Sequence, residues 1–476
     1  MYMLRSSDDW HPHELTDPVK EWVYTPTLYH LLHDDPYTEL LECLFGPKDV
    51  MLPPNDRYDT WIRDPHMINT YRNPSHFRRY LSLSLDRLFN LRFRDSRTRV
   101  CGNIDLVCKT SDHRYRVYQI HPSINRYVRV LNAAVHLYLR RVHPGLFESA
   151  IYILHPTDHR VIGTLDYDGD EKPYLTILRK IVFEKRFLRS RATIIRDYHI
   201  PLYPNMCHKN TGWDKEKEAY AQQIGELTLL WNVGLSHRKH AHQNHRVYSF
   251  YDPRCCANVM NVAPHLHNTI DKIIEINRQD RDWIWVHDLS LDGTGCFLDV
   301  ETLPSRSNLI YYIGLYLRET EEYLWWMCDE PTPQQEQSIL ERFQHVLASR
   351  SLGTIYYWYA ERSFFRNKLP EECMSSWVDL YQVFWKTPIV IRGCFHYRLK
   401  HIARVLKQKG KIETHLGEDD CADGLESVRI AEEYYRTRDP GLFEKIYRYN
   451  RFDCKVLSDI MDLLHNILEE REQNND

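Results

Sequence analysis

Two stretches decide the architecture of the C-terminal third: FLDVETL at residues 297–303 and YRYNRFDCKVLSDIMDLL at residues 447–464. The first sets two acids one residue apart in an apolar run, the pattern of a strand, so Asp299 and Glu301 project from the same face. Two carboxylates on one buried face repel each other unless a cation lies between them. Hard cations such as Mg²⁺ or Mn²⁺ prefer oxygen ligands. At an exposed strand end the same two acids would merely be solvated, so the pair needs company to mean more. The second stretch is helical and places Tyr449 and Asp453 one turn apart on one face. There Asp453 can ligate a metal while the Tyr449 hydroxyl orients a water. Glu361 supplies the third element, at the end of the apolar run IYYWYA (355–360) and the start of the next helix, where a side chain reaches over the sheet edge. Together these residues make a candidate two-metal site that clamps the attacking and leaving oxygens of a phosphodiester.

The flanking sequence supports an α/β setting. NLIYYIGLYLRE (308–319) and EYLWWMCDEP (322–331) follow FLDVETL, giving three runs that can form a meander. A helix opens at Thr332, with Pro333 in its first position and Gln335 where a capping-box partner would sit. GTIYYWYA (353–360) is a fourth strand, and helices fill the rest. Upstream, residues 205–285 read as helices and a charged turn. Further back, PSHFRRYLSLSLDRLFNLRF (74–93) reads as one helix capped by Ser75, followed by strands RVCGNIDLVCKT (99–110) and RYRVYQIHP (114–122). A helix follows at 126–144, with Val128, Leu131, Val135 and Leu139 on one face, and two more strands lie at 149–156 and 160–167. This helix–strand–strand–helix–strand order is a second α/β unit. A chain of 476 residues is long for one core. The division expected is an N-terminal helical and loop segment at 1–60, an α/β domain at 61–200, a helical connector at 201–289 and a second α/β domain at 290–476.

With 43% hydrophobic and 27% charged residues, the composition excludes disordered, collagenous and membrane classes. No run is long and apolar enough to span a bilayer, and MYMLRSSDDWHPHE has acids where a secretory signal would be apolar. An intracellular, reducing location is expected. The twelve cysteines show no repeating spacing and read as free thiols. A net charge of −4 gives no global pull on polyanions, so nucleic-acid contact would need local patches. One such patch is residues 63–99, where nine arginines stand against three aspartates, interleaved with aromatic residues. Arginine between aromatics can grip phosphate and stack on bases, and the same spacing also describes a helix with a solvated basic face.

Residues 290–465 resemble the YprB-like branch of the DEDD exonucleases, whose tyrosine subclass carries a Y-x-x-x-D motif, here YNRFD (449–453). The resemblance implies an RNase H-like fold with a mixed sheet flanked by helices, and removal of nucleotides from 3′ ends with two divalent metals, Mg²⁺ or Mn²⁺. It implies Asp299, Glu301, Glu361 and Asp453 as metal ligands and Tyr449 as the water-orienting group. The second motif of that family normally offers Asp, whereas this chain offers Glu361. Asp379, in WVDLYQVF (377–384), competes with Glu361, which is preferred for its strand-to-helix position.

Residues 60–165 resemble the RecB-like branch of the PD-(D/E)XK (restriction-endonuclease-like) nucleases. GNIDLV supplies Asp105, and YQIHP supplies Gln119, with His121 where that family carries lysine. Lysine stabilises charge building on the phosphoryl group, and histidine replaces it poorly at neutral pH. Asn132 and His136 stand in for the polar pair on the family's next helix. The expectation is a degenerate second site at Asp105, Gln119 and His121, in a domain that holds DNA through Arg78, Arg79, Arg87, Arg126 and Arg129. The fusion as a whole resembles nucleases of bacteria and giant DNA viruses, including the connector run ELTLLWNVGLSHRKHAHQNHRVYSF (226–250). That implies work on DNA rather than RNA, in repair, recombination or replication, and, for a viral protein, in the host cytoplasm or viral factory.

The activity expected is a metal-dependent 3′–5′ exonuclease. The alternatives are a catalytically inactive nucleic-acid-binding scaffold and a nick- or flap-directed endonuclease. His237, His240, His242 and His245 lie close in sequence, but they read as a basic turn rather than a zinc site. Cys101, Cys108 and His113 read as core residues and a turn, and Trp283, Trp285, Trp325 and Trp326 as packing for the second domain's sheet.

Overall fold

The computed structural model describes residues 23–24, 28–46, 87–95, 100–121, 123–142, 145–155, 160–167, 171–198, 201–209, 211–279, 284–286, 295–350, 352–414 and 424–475. Arg78, Arg79, Ser75 and Trp283 lie outside these residues. The chain divides into two compact units, Met1–Leu229 and Leu230–Asp476. The stretch expected as a connector is therefore shared, with 201–229 in the first unit and 230–289 in the second.

In the first unit, β1 (Val23–Tyr24), α1 (Tyr29–Leu32) and α2 (Pro36–Phe45) precede β2 (Arg87–Asp95), β3 (Val100–Lys109) and β4 (Tyr115–Ile120). Then come α3 (Arg126–Val142), β5 (Phe147–Leu154), β6 (Val161–Asp166), α4 (Lys172–Asp197) and α5 (Asp214–Ile224). The sheet runs β1-β3-β4-β5-β6, with β2 also paired to β3. β4 and β5 are parallel, joined through α3, while β3 pairs antiparallel with both β2 and β4. Of the segment read as a helix at 74–93, residues 74–86 lie outside the described residues, and the last seven belong to a strand that begins at Arg87. Its alternation of Phe89, Leu91 and Phe93 with Asn90, Arg92 and Arg94 suits a two-sided ladder, and the pairing with β3 satisfies its backbone. The order here is strand–strand–strand–helix–strand–strand. Val117, Ile151 and Ile153 of the sheet pack with Val128, Leu131 and Val135 of α3 and with Leu178 and Val182 of α4. Buried ion pairs Lys185–Glu39 and Lys217–Asp35 tie the helices together.

The second unit opens with α6 (Leu235–His240), which runs into a π-helical turn at Ala241–His245, and α7 (His267–Arg278). β7 (Ile284–Trp285), β8 (Gly295–Leu303), β9 (Leu309–Leu317), β10 (Glu322–Met327), α8 (Pro333–Ser349), β11 (Thr354–Tyr357) and α9 (Glu361–Phe365) follow. Next are β12 (Trp377–Asp379), α10 (Leu380–Lys386), β13 (Val390–Ile391), α11 (Leu399–Gln408), α12 (Gly424–Thr437) and α13 (Pro440–Asn475). The main sheet has the order β10-β9-β8-β11-β12. Its first three strands form the antiparallel meander, and β11 and β12 continue it in parallel. Such a mixed sheet needs helices on both faces. On one face, Leu298, Ile313, Leu315 and Ile355 pack with Ile339, Leu340 and Phe343 of α8. On the other, Phe297, Tyr316 and Tyr356 pack with Cys454, Leu457 and Met461 of α13. The Thr332 side chain accepts a hydrogen bond from the Gln335 amide, closing the start of α8 as its sequence predicts.

Candidate metal centre

The two-residue period of β8 puts Phe297, Asp299 and Glu301 on the face covered by α13, while Leu298 and Val300 turn to the opposite core. α13 brings Asp453 against that face. One carboxylate oxygen from each of Asp299, Glu301 and Asp453 lies within 4.8 Å of the others, the one such group of potential metal ligands among the described residues. Glu361 opens α9 beyond the end of β11, and its charge bears on Asp299.

These acids are held in place by groups on neighbouring elements. Asn450 on α13 donates from Nδ2 to Asp299 Oδ2 at 2.6 Å, and its Oδ1 accepts from the Tyr323 hydroxyl at 2.8 Å. Ser427 on α12 donates to Glu301 Oε2 at 2.8 Å. Gly314 lies opposite Asp299 in the β8–β9 register, and a Cβ there would fall 1.7 Å from Asn450 Oδ1. Glycine is needed at that position so that the asparagine can reach over β9. Tyr449 donates its hydroxyl to Asp453, and Lys400 on α11 sets its Nζ 4.1 Å from the centre of the Tyr449 ring.

Electrostatics show what the cluster lacks. Burial first, then the neighbouring charges of Glu301, Asp453 and Glu361, drive Asp299 well above the usual carboxylate range. Burial and Asp453 push Glu301 up to about 8, against the pull of Ser427, Lys400 and Asn450. Burial likewise takes Glu361 to about 8, and Asp453 to about 6 despite Lys400 and the Tyr449 hydroxyl. Asp453 Oδ1 and Glu361 Oε2 are buried without any hydrogen-bond partner. Orphaned buried acceptors in a group of converging acids are strongly unfavourable unless a cation compensates them. An all-oxygen donor set of this kind fits a hard divalent ion.

Asp379, the competing second-motif acid, has both oxygens occupied. Its Oδ1 accepts from the Tyr359 and Gln382 amides at 3.0 and 3.4 Å, and its Oδ2 from Gln382 Nε2 at 3.1 Å. It caps α10.

In the first unit, Asp105 lies on β3, Gln119 on β4 and His121 just after it. Asp105 Oδ2 accepts from the Ile120 amide at 2.8 Å, and burial raises its carboxyl to about 6. Burial lowers His121 to about 4, so the imidazole is neutral at pH 7 and cannot supply the charge of a lysine. Among the described residues, no group of three potential ligands includes these positions. Asn132 and His136 are buried on α3. Arg126 and Arg129 are exposed at the start of α3, and Arg87 begins β2.

Of the four connector histidines, His240 and His245 meet ring to ring at 5.5 Å, and the others have separate partners. His237 caps the turn at the Gly234 amide, His240 contacts Asn244, and His242 is buried against Tyr248. Cys255 and Cys256 are not joined in a disulfide. Trp326 is a core residue, whereas Trp325 is half exposed.

The motifs do not single out Lys400, Ser427, Asn450 or Gly314. Asn450 had a visible signal, a lone amide in the buried stripe of Ile446, Tyr449, Asp453 and Leu457. A single lysine on an amphipathic helix carries none.

Residues 296–465 match the family model RNase_H_2, of the RNase_H superfamily. The matched segment begins in β8 and ends within α13, so it contains the meander, the carboxylates and Tyr449. The match supports an RNase H-like C-terminal part and nuclease-type chemistry in general. No curated protein matches the chain.

Proposed function

We propose that the chain is a metal-dependent nuclease, a 3′–5′ exonuclease that acts on DNA inside the cell, in repair, recombination or replication. The observation that carries this is the convergence of Asp299, Glu301 and Asp453 oxygens within 4.8 Å, with buried orphan acceptors on Asp453 and Glu361. A scaffold that had lost catalysis would have no reason to keep these mutually repelling acids together, so the convergence favours the enzyme over the scaffold reading.

Asp299, Glu301 and Asp453 would hold the divalent ions, with Glu361 completing the set. Glu361 is preferred to Asp379 because its oxygen is orphaned whereas both Asp379 oxygens are spent on the turn. Mg²⁺ or Mn²⁺, when bound, supplies the positive charge that stabilises the attacking and leaving oxygens. Asn450 and Ser427 fix the rotamers of Asp299 and Glu301, so the donors are oriented before substrate arrives. The Tyr449 hydroxyl, bonded to Asp453, would orient a water against the phosphorus. Lys400, beside the same ring, favours negative charge there. The first unit, read as a degenerate PD-(D/E)XK fold, would position the strand through Arg87, Arg126 and Arg129.

The test uses 5′-labelled linear single-stranded DNA and internally labelled circular single-stranded DNA with Mn²⁺. A ladder that shortens from the 3′ end, with the circle intact, is the expected result. Opening of the circle would replace the exonuclease with an endonuclease.

A further inference from the structure

We propose that the cleft beside Glu361 receives an unpaired nucleotide of the substrate strand, and that Tyr359 is the platform on which its base stacks. This rests on the nuclease reading of the carboxylate centre and names the feature that selects single-stranded ends.

The cleft, of about 370 Å³, is lined by Tyr357, Tyr359, Arg362, Arg366, Asp379 and Gln382, among others. Arg362 and Ser363 of its lining follow Glu361 directly on the same helix, which places the cleft next to that acid. Tyr359 has φ +79°, in the left-handed region, and is 66% exposed. A turn that only had to reverse the chain would take glycine or asparagine there. A bulky side chain persists in such a conformation only where its surroundings over-determine it. Here they do: Asp379 Oδ1 accepts the Tyr359 amide at 3.0 Å, and the Tyr381 ring meets the Tyr359 ring edge-on at 4.9 Å. The neighbouring Trp358 packs on Phe384 at 5.1 Å and meets the Tyr381 ring as well, at 6.1 Å. The turn therefore packs one aromatic half-buried against the protein and presents the next to solvent, two residues before a site acid.

An aromatic face held rigid at the rim of a polar cleft binds any base by stacking, without sequence preference. Arg366 is exposed beside it and supplies the charge for a phosphate, while Arg362 is paired with Glu371. Glu371 offsets Arg362 and Asp379 offsets Arg366, so the cleft exerts no net pull on a polyanion and favours an occupant that brings a base to stack. That is why the occupant is an unpaired nucleotide and not a duplex backbone.

The test uses full-length protein with Asp299→Asn to prevent cutting, and short single strands carrying 2-aminopurine at the last or the penultimate 3′ position, in deoxy and ribo forms. Stacking quenches 2-aminopurine fluorescence. The expected result is quenching on binding that Tyr359→Phe retains, while Tyr359→Ala loses it and binds about tenfold more weakly or worse. Tyr359→Gly relieves the backbone and guards against misfolding as the cause, and it should lose the quenching as well. Comparable quenching in the deoxy and ribo probes fits stacking, and a ribo-only response would make the substrate RNA. No binding by the parent protein, or equal quenching by Tyr359→Ala, overturns the proposal. If the wild type digests nothing yet Tyr359 still controls quenching, the nuclease reading fails and the cleft stands. If it digests and Tyr359 is indifferent, the cleft fails alone.

Discussion

Asn450 shows how much of the centre depends on residues that touch no metal. Its amide grips Asp299 at 2.6 Å while Tyr323 grips it from behind, and it fits only because Gly314 has no side chain. Asn450→Ala and Gly314→Ala should each weaken Mn²⁺ binding, by about 10- to 100-fold, as calorimetric titration would read. Lys400 acts through charge. It pulls Asp299, Glu301 and Asp453 down, so without it their values rise further and protons compete with the ion to higher pH. Lys400→Met should move the pH midpoint of Mn²⁺ binding upward, and Lys400→Arg should leave it nearly in place. A downward shift would mean the lysine is not facing the acids. The acids and Tyr449 were legible because strand and helix periods put them on one face each. Lys400 was not, because its role comes from a packing of α11 that no local pattern encodes.

The elements of the second unit were largely written in local signals. Thr332, Pro333 and Gln335 announce the start of α8, and the structure forms that cap. Thr332→Ala should cost about 1 kcal/mol of stability, measured by denaturant unfolding. An unchanged midpoint would mean the cap contributes nothing. β12 escaped notice because three residues cannot display an alternation, and its strand exists by pairing with β11. In the first unit, residues 87–93 fit two periods: Phe89, Leu91 and Phe93 alternate, yet Phe77, Leu81, Leu85 and Leu88 space as a helix. Pairing with β3 decides for the strand, a non-local contact that reading along the chain does not weigh.

At the scale of the molecule, each unit has its own sheet and its own core, and the one cluster of potential metal ligands among the described residues lies in the second. Glu301 and Glu361 stand near 8 in the folded chain against an ordinary 4.5. The ion-free folded state thus binds more protons than the unfolded one between those values, and its stability falls as pH rises through that window. Mn²⁺ replaces those protons. At a hundredfold excess over its dissociation constant it should add about 2.7 kcal/mol at pH 8 to the second unit, visible as a higher Tm for one calorimetric transition. Fragment 230–476 should show the same shift by itself. A shift that requires residues 1–229 would place the ligands elsewhere.

The most direct test of the central claim is cleavage of 5′-labelled single-stranded DNA by the purified chain with Mn²⁺, run beside Asp299→Asn and beside EDTA. Shortening from the 3′ end by the wild type, and none in either control, is the expected result. Cleavage that survives both, or DNA binding without any cleavage by the wild type, would contradict it.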